Sequence, residues 1–231
     1  MSADSLSSIA AVVFDFDGVL ADTEGLHLSA FQRVFQAKGW HLDEQSYYDR
    51  YLGCDDVGLV VSFAQDREVA VADHEVRTLV EDKGRVFAGL VAAGDVLYPG
   101  ARECVERLSA RFALGIASGA LHGEIEAILD AAGLRSRFRT IVAADDVTAT
   151  KPSPEPYLAA ARQLGVAPAL CVAVEDSAPG LASARAAGMR TVAVTTTTPR
   201  HLLDAADRVI GQLAELSPDL VEALGSGAPL W

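Results

Sequence analysis

Two aspartates, Asp15 and Asp17, stand at the end of an apolar run that begins at Ala11. In extended chain, side chains at i and i+2 point the same way, so the two carboxylates project together. Like charges held that close are costly without a cation or a shared proton. Gly18 follows at once and permits a sharp exit from the strand. Metal binding or acid–base work is the chemistry open to such a pair; a strand-end turn without chemistry is the plain alternative. Glu175-Asp176 forms a second acidic pair, closing the apolar run Leu170–Val174. Adjacent acids there suit a hard cation with oxygen ligands, or else the acidic start of a helix. Ser118-Gly119-Ala120 sets a hydroxyl and successive backbone N–H groups at a strand-to-helix turn, which makes an anion cradle or an N-cap. Lys151 is followed by Pro152 and Pro154, which restrict its backbone; its charge can balance negative charge in a site or simply face solvent.

These residues need elements to hold them. Ala11–Phe14 has the near-continuous apolar character of a strand buried on both faces in a parallel sheet. Leu26, Phe31, Val34, Phe35 and Lys38 then recur at roughly helical spacing, with Gly39 as the stop. The pattern stays helical to about residue 95. Trp40–Glu44 reads as a loop into a second helix. Gly53-Cys54-Asp55-Asp56 reads as a turn opening a helix through Val57, Val60, Val61 and Ala64, and residues 73–92 as one amphipathic helix weakened at Gly84. From Pro99-Gly100 helix and strand alternate, the α/β signature. Strands are expected at 112–118, 140–144, 170–176, 191–194 and 208–210, with helices at 101–111, 123–132, 155–164 and 180–187 and a helical tail. Residues 1–10 read as a frayed polar lead-in and Thr195–Thr198 as a surface loop. In open α/β sheets ligands gather at the carboxyl ends of the strands. Asp15, Asp17, Ser118, Glu175 and Asp176 all fall at such ends.

A chain of 231 residues is long enough for one good-sized core plus a smaller domain. With half its residues hydrophobic, it is neither disordered nor fibrous. No apolar run reaches the ~18 residues needed to span a membrane. The start, MSADSLSSIA, has neither the basic nor the apolar segment of a signal peptide. Cys54, Cys104 and Cys171 are widely spaced with no CxxC, and read as small buried hydrophobes in a reducing cytosol, so a cytoplasmic location is expected. A net charge of −13 argues against nucleic acid and anionic membranes as partners. An anionic substrate therefore needs a locally positive site. A monomer or weak homodimer is expected.

The run DFDGVLADTEGLH, residues 15–27, resembles the first motif of the haloacid dehalogenase superfamily, with the D-T-E and His of its β-phosphoglucomutase-like, CbbY-type phosphatase branch. Ser118-Gly119-Ala120, Lys151-Pro152 and Glu175-Asp176-Ser177 resemble the second, third and fourth motifs in the family's order, so the resemblance covers nearly the whole chain. It implies a Rossmann-like α/β core with a parallel sheet, residues 1–21 and 96–231, and an inserted all-helical cap domain, residues 22–95. The cap is expected to be mobile over the active site, hinged near Leu20–Asp22 and Val96–Pro99. The implied activity is that of a Mg2+-dependent phosphomonoester phosphatase, acting on a small phosphorylated metabolite through an aspartyl-phosphate. The residues alone leave open which aspartate attacks; the resemblance makes Asp15 the nucleophile and Asp17 the acid and base. It also gives the metal to the Asp15 side chain, the Asp17 carbonyl, Asp176 and Glu175, and the phosphate to Ser118, Gly119, Ala120 and Lys151. An acid at Asp17 favours phosphoryl chemistry over carbon–halogen cleavage, and the cap lysine context of the phosphonate-cleaving branch is not found.

Glu24 and His27 match substrate-facing positions near the hinge and cap. His27 is placed to help close the site over substrate or, equally, to pack as a hydrogen-bonded core histidine. Sugar phosphomutases of this branch carry an arginine after the small turn of the cap, where it grips a second phosphate. Here Asp55-Asp56 stand at the matching turn, and like charge repels a distal phosphate. Hydrolysis is therefore expected over isomerisation, with Lys83 and Arg85 as other sources of positive charge. From Asp22 to Asp95 the chain has 14 acids against 7 Lys plus Arg, so the cap is net negative. The alternatives are a phosphomutase, which shares every core residue, and a non-catalytic binding relative. Against the latter, such a protein has no chemical need for the acids, Ser118 and Lys151 together.

Overall fold

The computed structural model describes residues 8–52, 54–94 and 96–226; the lead-in up to Ser7 and Gly53 of the expected turn lie outside the described residues. Six strands, β1 (Ala11–Phe14), β2 (Ala113–Ala117), β3 (Phe138–Val142), β4 (Cys171–Glu175), β5 (Arg190–Val194) and β6 (Arg208–Ile210), form one sheet in the order β3-β2-β1-β4-β5-β6. Every pairing is parallel. This is the Rossmann-like, doubly wound arrangement, whose crevice opens between β1 and β4 where the strand order reverses. β1 is wholly buried between two partners, which accounts for its unbroken apolar sequence. The sheet also begins earlier than expected: Ile9 is buried, and Ala10 N–H donates to the Leu170 carbonyl at 2.9 Å, so residues 9 and 10 are not frayed.

Compact packing divides the chain into two units, Met1–Asp22 with Val96–Trp231, and Thr23–Asp95. Within the second unit lie α1 (Glu24–Ala37), α2 (Glu44–Ser46) running into a wide π-helical turn at Tyr47–Tyr51, α3 (Asp56–Asp66) and α4 (Asp73–Ala93). Asp43 caps α2 by accepting from Ser46 N–H at 2.8 Å, and Asp55 caps α3 by accepting from Gly58 N–H at 2.6 Å. The core of this unit is aromatic, with Phe35 and Phe63 ring centres 4.3 Å apart beside Phe31, Trp40 and Tyr51. α4 runs unbroken through Gly84, whose Cα faces open space. The ~1 kcal/mol penalty of a helical glycine is outweighed by the buried stripe along the helix.

That stripe holds Val76, Leu79, Lys83, Phe87 and Val91. A lysine thus stands where the helical period calls for an apolar residue. Lys83 is fully buried, with Nζ 2.9 Å from Asp56 Oδ2 and 4.9 Å from the centre of the Phe87 ring. The other face of this cluster is His27, stacked on Phe87 at 4.5 Å between ring centres. Burial first, then the charge on Lys83, lower the His27 pKa to about 4, with Asp56 opposing. Glu24 accepts a hydrogen bond from the Tyr47 hydroxyl. The Asp55-Asp56 turn is therefore not a bare acidic pair, since Asp55 caps a helix and Asp56 is neutralised by Lys83. The repulsion expected of that turn loses its basis.

In the first unit α5 (Ala101–Ser109), α6 (His122–Ala131), α7 (Glu155–Leu164), α8 (Ala178–Ala186) and α9 (Pro218–Ser226) complete the helices. β1 and β4 turn Ala11, Val13, Cys171 and Ala173 toward one face, where these small residues let Ala159, Ala160 and Ala161 of α7 approach closely. β3 starts and stops two residues before the expected strand. The reason is that Ala144–Asp146 closes into a helical turn, with the Asp146 carboxylate accepting from Ala143 N–H at 2.9 Å. Cys104 and Cys171 are buried, whereas Cys54 is exposed and does not serve as a core residue.

Two outcomes follow for the helical unit. Breaking a fully buried ion pair costs ~3–5 kcal/mol, and the partial exposure of Asp56 recovers part of that. Lys83→Met should thus lower the urea midpoint clearly, and Lys83→Met with Asp56→Asn should restore most of the loss. For His27 the native state resists a proton that the unfolded chain takes up near its ordinary pKa. Stability is therefore fully present above about pH 6.5 and declines as pH falls toward about 4. Urea melts across that window should show a shallower decline in His27→Gln than in wild type.

Candidate active site

The register places the acids. Phe14 lies opposite Val174, and Asp15 N–H donates to the Val174 carbonyl at 2.9 Å, so Asp15 and Glu175 leave the sheet side by side. Phe14 also lies opposite Ile116, which brings Ser118 level with Phe16 on the other flank. Carboxylate oxygens of Asp15, Glu175 and Asp176 all come within 4.8 Å of one another, and all three residues are buried. Lys151 Nζ stands 2.7 Å from Asp15 and 2.6 Å from Glu175. Three buried carboxylates against one ammonium leave an excess of negative charge that oxygen-seeking divalent cations fit.

The ionisation of these groups reflects that crowding. Burial, and then Glu175, hold the Asp15 carboxyl well above its ordinary range, with Lys151 pulling the other way. Asp176 is pushed up to about 6 by burial, opposed by a hydrogen bond from Thr197. For Lys151 burial works against the charged form, but Asp15 and Glu175 outweigh it and the pKa rises. The Lys151 loop is itself braced. Glu155, in the first turn of α7, accepts from the backbone of Thr148 and Ala149, both at 3.0 Å, and from the Thr148 hydroxyl. The Ser183 hydroxyl donates to the Ser153 carbonyl from α8.

Glu175 is saturated. One oxygen takes Lys151 and the Tyr157 hydroxyl, the latter at 2.7 Å; the other takes the Ser177 hydroxyl at 3.0 Å and the N–H groups of Asp176 and Ser177. Asp17 is half-buried in the turn after β1, where Gly18 N–H donates to Ala21 O at 3.0 Å. Ser118 is not a helix N-cap, because α6 starts at His122 with Leu121 in the cap position. Its hydroxyl oxygen instead accepts from Ala120 N–H at 3.0 Å. That bond engages the Ala120 N–H, one of the donors expected of the anion cradle. Gly119 is exposed beside it. Glu24 and His27 belong to the helical unit, with the partners given above.

Three residues carry weight that sequence reasoning missed. Tyr157 sits at an apolar position of α7, and nothing in its spacing reveals its bond to Glu175. Thr197 donates its hydroxyl to Asp176 Oδ2, and Thr196 donates to the Gly18 carbonyl. Thr195–Thr198 is thus more than a surface loop, and the available signal was its place at the carboxyl end of β5.

Residues 9–188 match the family model described as haloacid dehalogenase-like hydrolase. The protein CbbY of Cereibacter sphaeroides is 34% identical over 90% of this chain and 94% of its own length. Hexitol phosphatase B of Escherichia coli is 32% identical over 90% of this chain and 95% of its own. A crystal structure of a CbbY mutant from Rhodobacter sphaeroides, in complex with xylulose-(1,5)bisphosphate, superposes with a TM-score of 0.79 at 33% identity, covering 90% of this chain and 96% of that one.

Gly180 gives a direct test of the Glu175 anchor. A Cβ added there would fall 1.9 Å from Glu175 Oε1 and 2.1 Å from Oε2. Alanine gains about 1 kcal/mol in helix propensity, but overpacking of this kind costs ~1–3 kcal/mol and cannot relax without moving Glu175. Gly180→Ala should lower the melting temperature and, by releasing Lys151, reduce turnover. An unchanged melting curve and rate would show that Glu175 is not held in this way.

Proposed function

Since the chain belongs to the haloacid dehalogenase-like hydrolases, we propose that this phosphatase removes phosphate from a small phosphorylated sugar or sugar alcohol through an aspartyl-phosphate on Asp15. The observation that carries the reading is the placement of Asp15 at the switch point of the sheet, ion-paired to Lys151 and grouped with Asp176 and Glu175. The substrate class is supported by the hexitol phosphatase relative and by the xylulose bisphosphate held by the CbbY mutant.

Asp15 attacks phosphorus in line, which divides one hard displacement into two easier ones. Asp17 hands a proton to the leaving oxygen and then takes one from the water that opens the phospho-enzyme. Lys151 balances charge spreading over the phosphoryl oxygens, and the Ser118 hydroxyl and Gly119 N–H orient them. The residues that would hold Mg2+ are Asp15 and Asp176 through side chains and Asp17 through its carbonyl. Bound there, the ion supplies charge neutralisation and orientation of a phosphate oxygen. Glu175 lies within reach, but its engaged oxygens favour a different duty, anchoring Lys151.

A phosphomutase shares all of this machinery, and the pairing of Asp56 with Lys83 removes the repulsion that would have argued against it. Glucose 1-phosphate supplied with a catalytic amount of the 1,6-bisphosphate separates the two. Phosphate release without glucose 6-phosphate is expected, and rapid isomerisation with little phosphate would overturn the hydrolase reading. A folded Asp15→Asn protein should lose activity by several orders of magnitude on any substrate found in a screen of phosphorylated sugars and hexitols. Chelation should abolish turnover and Mg2+ restore it, with Ca2+ a poor substitute because its longer, more numerous bonds loosen in-line alignment. Full activity after exhaustive chelation would refute the metal assignment.

A further inference from the structure

The loop after β5 returns to the acids at the end of β4. Its first residue is fixed by Thr195 N–H donating to the Ile210 carbonyl of β6 at 3.1 Å. Thr196 then reaches the Gly18 carbonyl, in the turn that carries Asp17, and Thr197 reaches Asp176 Oδ2. The same Oδ2 also packs close to Gly18. Gly18 has φ +76°, and a Cβ there would lie 2.2 Å from Asp176 Oδ2 and 3.1 Å from Thr197 Cγ2. One oxygen of Asp176 is thus held by a hydroxyl donor and packed close to Gly18, which restricts rotation of the carboxylate.

We propose that Thr197 is a positioning residue: its hydroxyl fixes the Asp176 carboxylate in the orientation that binds a divalent cation. This rests on the metal site assigned above to Asp15, Asp17 and Asp176. Outer-shell hydrogen bonds of this kind orient ligands, and their loss typically weakens metal affinity by ~10–100-fold. A hydroxyl is what the position requires. Valine has the same shape, but it cannot donate; serine loses the methyl and keeps the donor.

The test is Mn2+ binding without substrate, followed by the electron paramagnetic resonance signal of the free ion, together with the Mg2+ concentration for half-maximal activity. In Thr197→Val both the Mn2+ dissociation constant and the half-activating Mg2+ concentration should rise about ten-fold. Thr197→Ser should stay within about two-fold of wild type, since the outer-shell bond is kept. Circular dichroism melts of the metal-free proteins check that both variants fold, and a serine variant as weak as valine would overturn the role of the hydroxyl. Equal Mn2+ affinity in valine and wild type would do the same. Failure of the underlying site reads differently: wild type would then bind no Mn2+ that Asp176→Asn abolishes.

Discussion

The site depends on one ammonium group. Lys151 touches Asp15 and Glu175 at once, in a place where burial would otherwise make two neighbouring carboxylates repel. Its position is inherited from elements on either side: Glu155 folds the loop from Thr148, α8 ties down Ser153, and Tyr157 steadies the far carboxylate. Charge balance and fold are consequently the same problem here. A strand register that puts Asp15 beside Glu175 is tolerable only because a third segment brings a cation to both.

The helical unit solves a similar problem on a smaller scale. Lys83 and Asp56 form a pair inside an aromatic shell, and His27 completes the shell as a neutral ring. The two clusters differ in what they leave over. Among the described residues, Lys83 in the helical unit pairs with Asp56, whereas at the strand ends three buried carboxylates surround one ammonium, an excess of negative charge that a divalent cation fits.

Much of this arrangement was legible in the chain. Asp15 and Asp17 were conspicuous because a buried strand should not end in two acids, and Glu175-Asp176 for the same reason. The rule that ligands collect at strand carboxyl ends groups them with Ser118. Lys151 needed the family resemblance, since a loop lysine carries no periodic signal of its own. Thr197 carries only the signal of its place after the carboxyl end of β5, because four threonines in a row have no period, and a hydrogen bond across 21 positions leaves no trace in local spacing. Lys83 was a different failure. Its signal was present, as a charge on the buried stripe of α4, but an amphipathic pattern is usually read from its apolar members. The strand at Phe138 was displaced for a third reason: a side-chain bond from Asp146 ends it early, and propensity does not register such bonds.

The topology also carries a consequence for the order of assembly. β1 is the central strand, yet its neighbours begin at Ala113 and Cys171. In a chain synthesised from its N-terminus, Ala11–Phe14 emerges first and remains without either partner while the whole of Thr23–Asp95 is made. That stretch has its own aromatic core, so its contacts are all encoded before either neighbour of β1. The costly proximity of Asp15 to Glu175 arises only when β4 pairs with β1, after Lys151, encoded between them, has already been made.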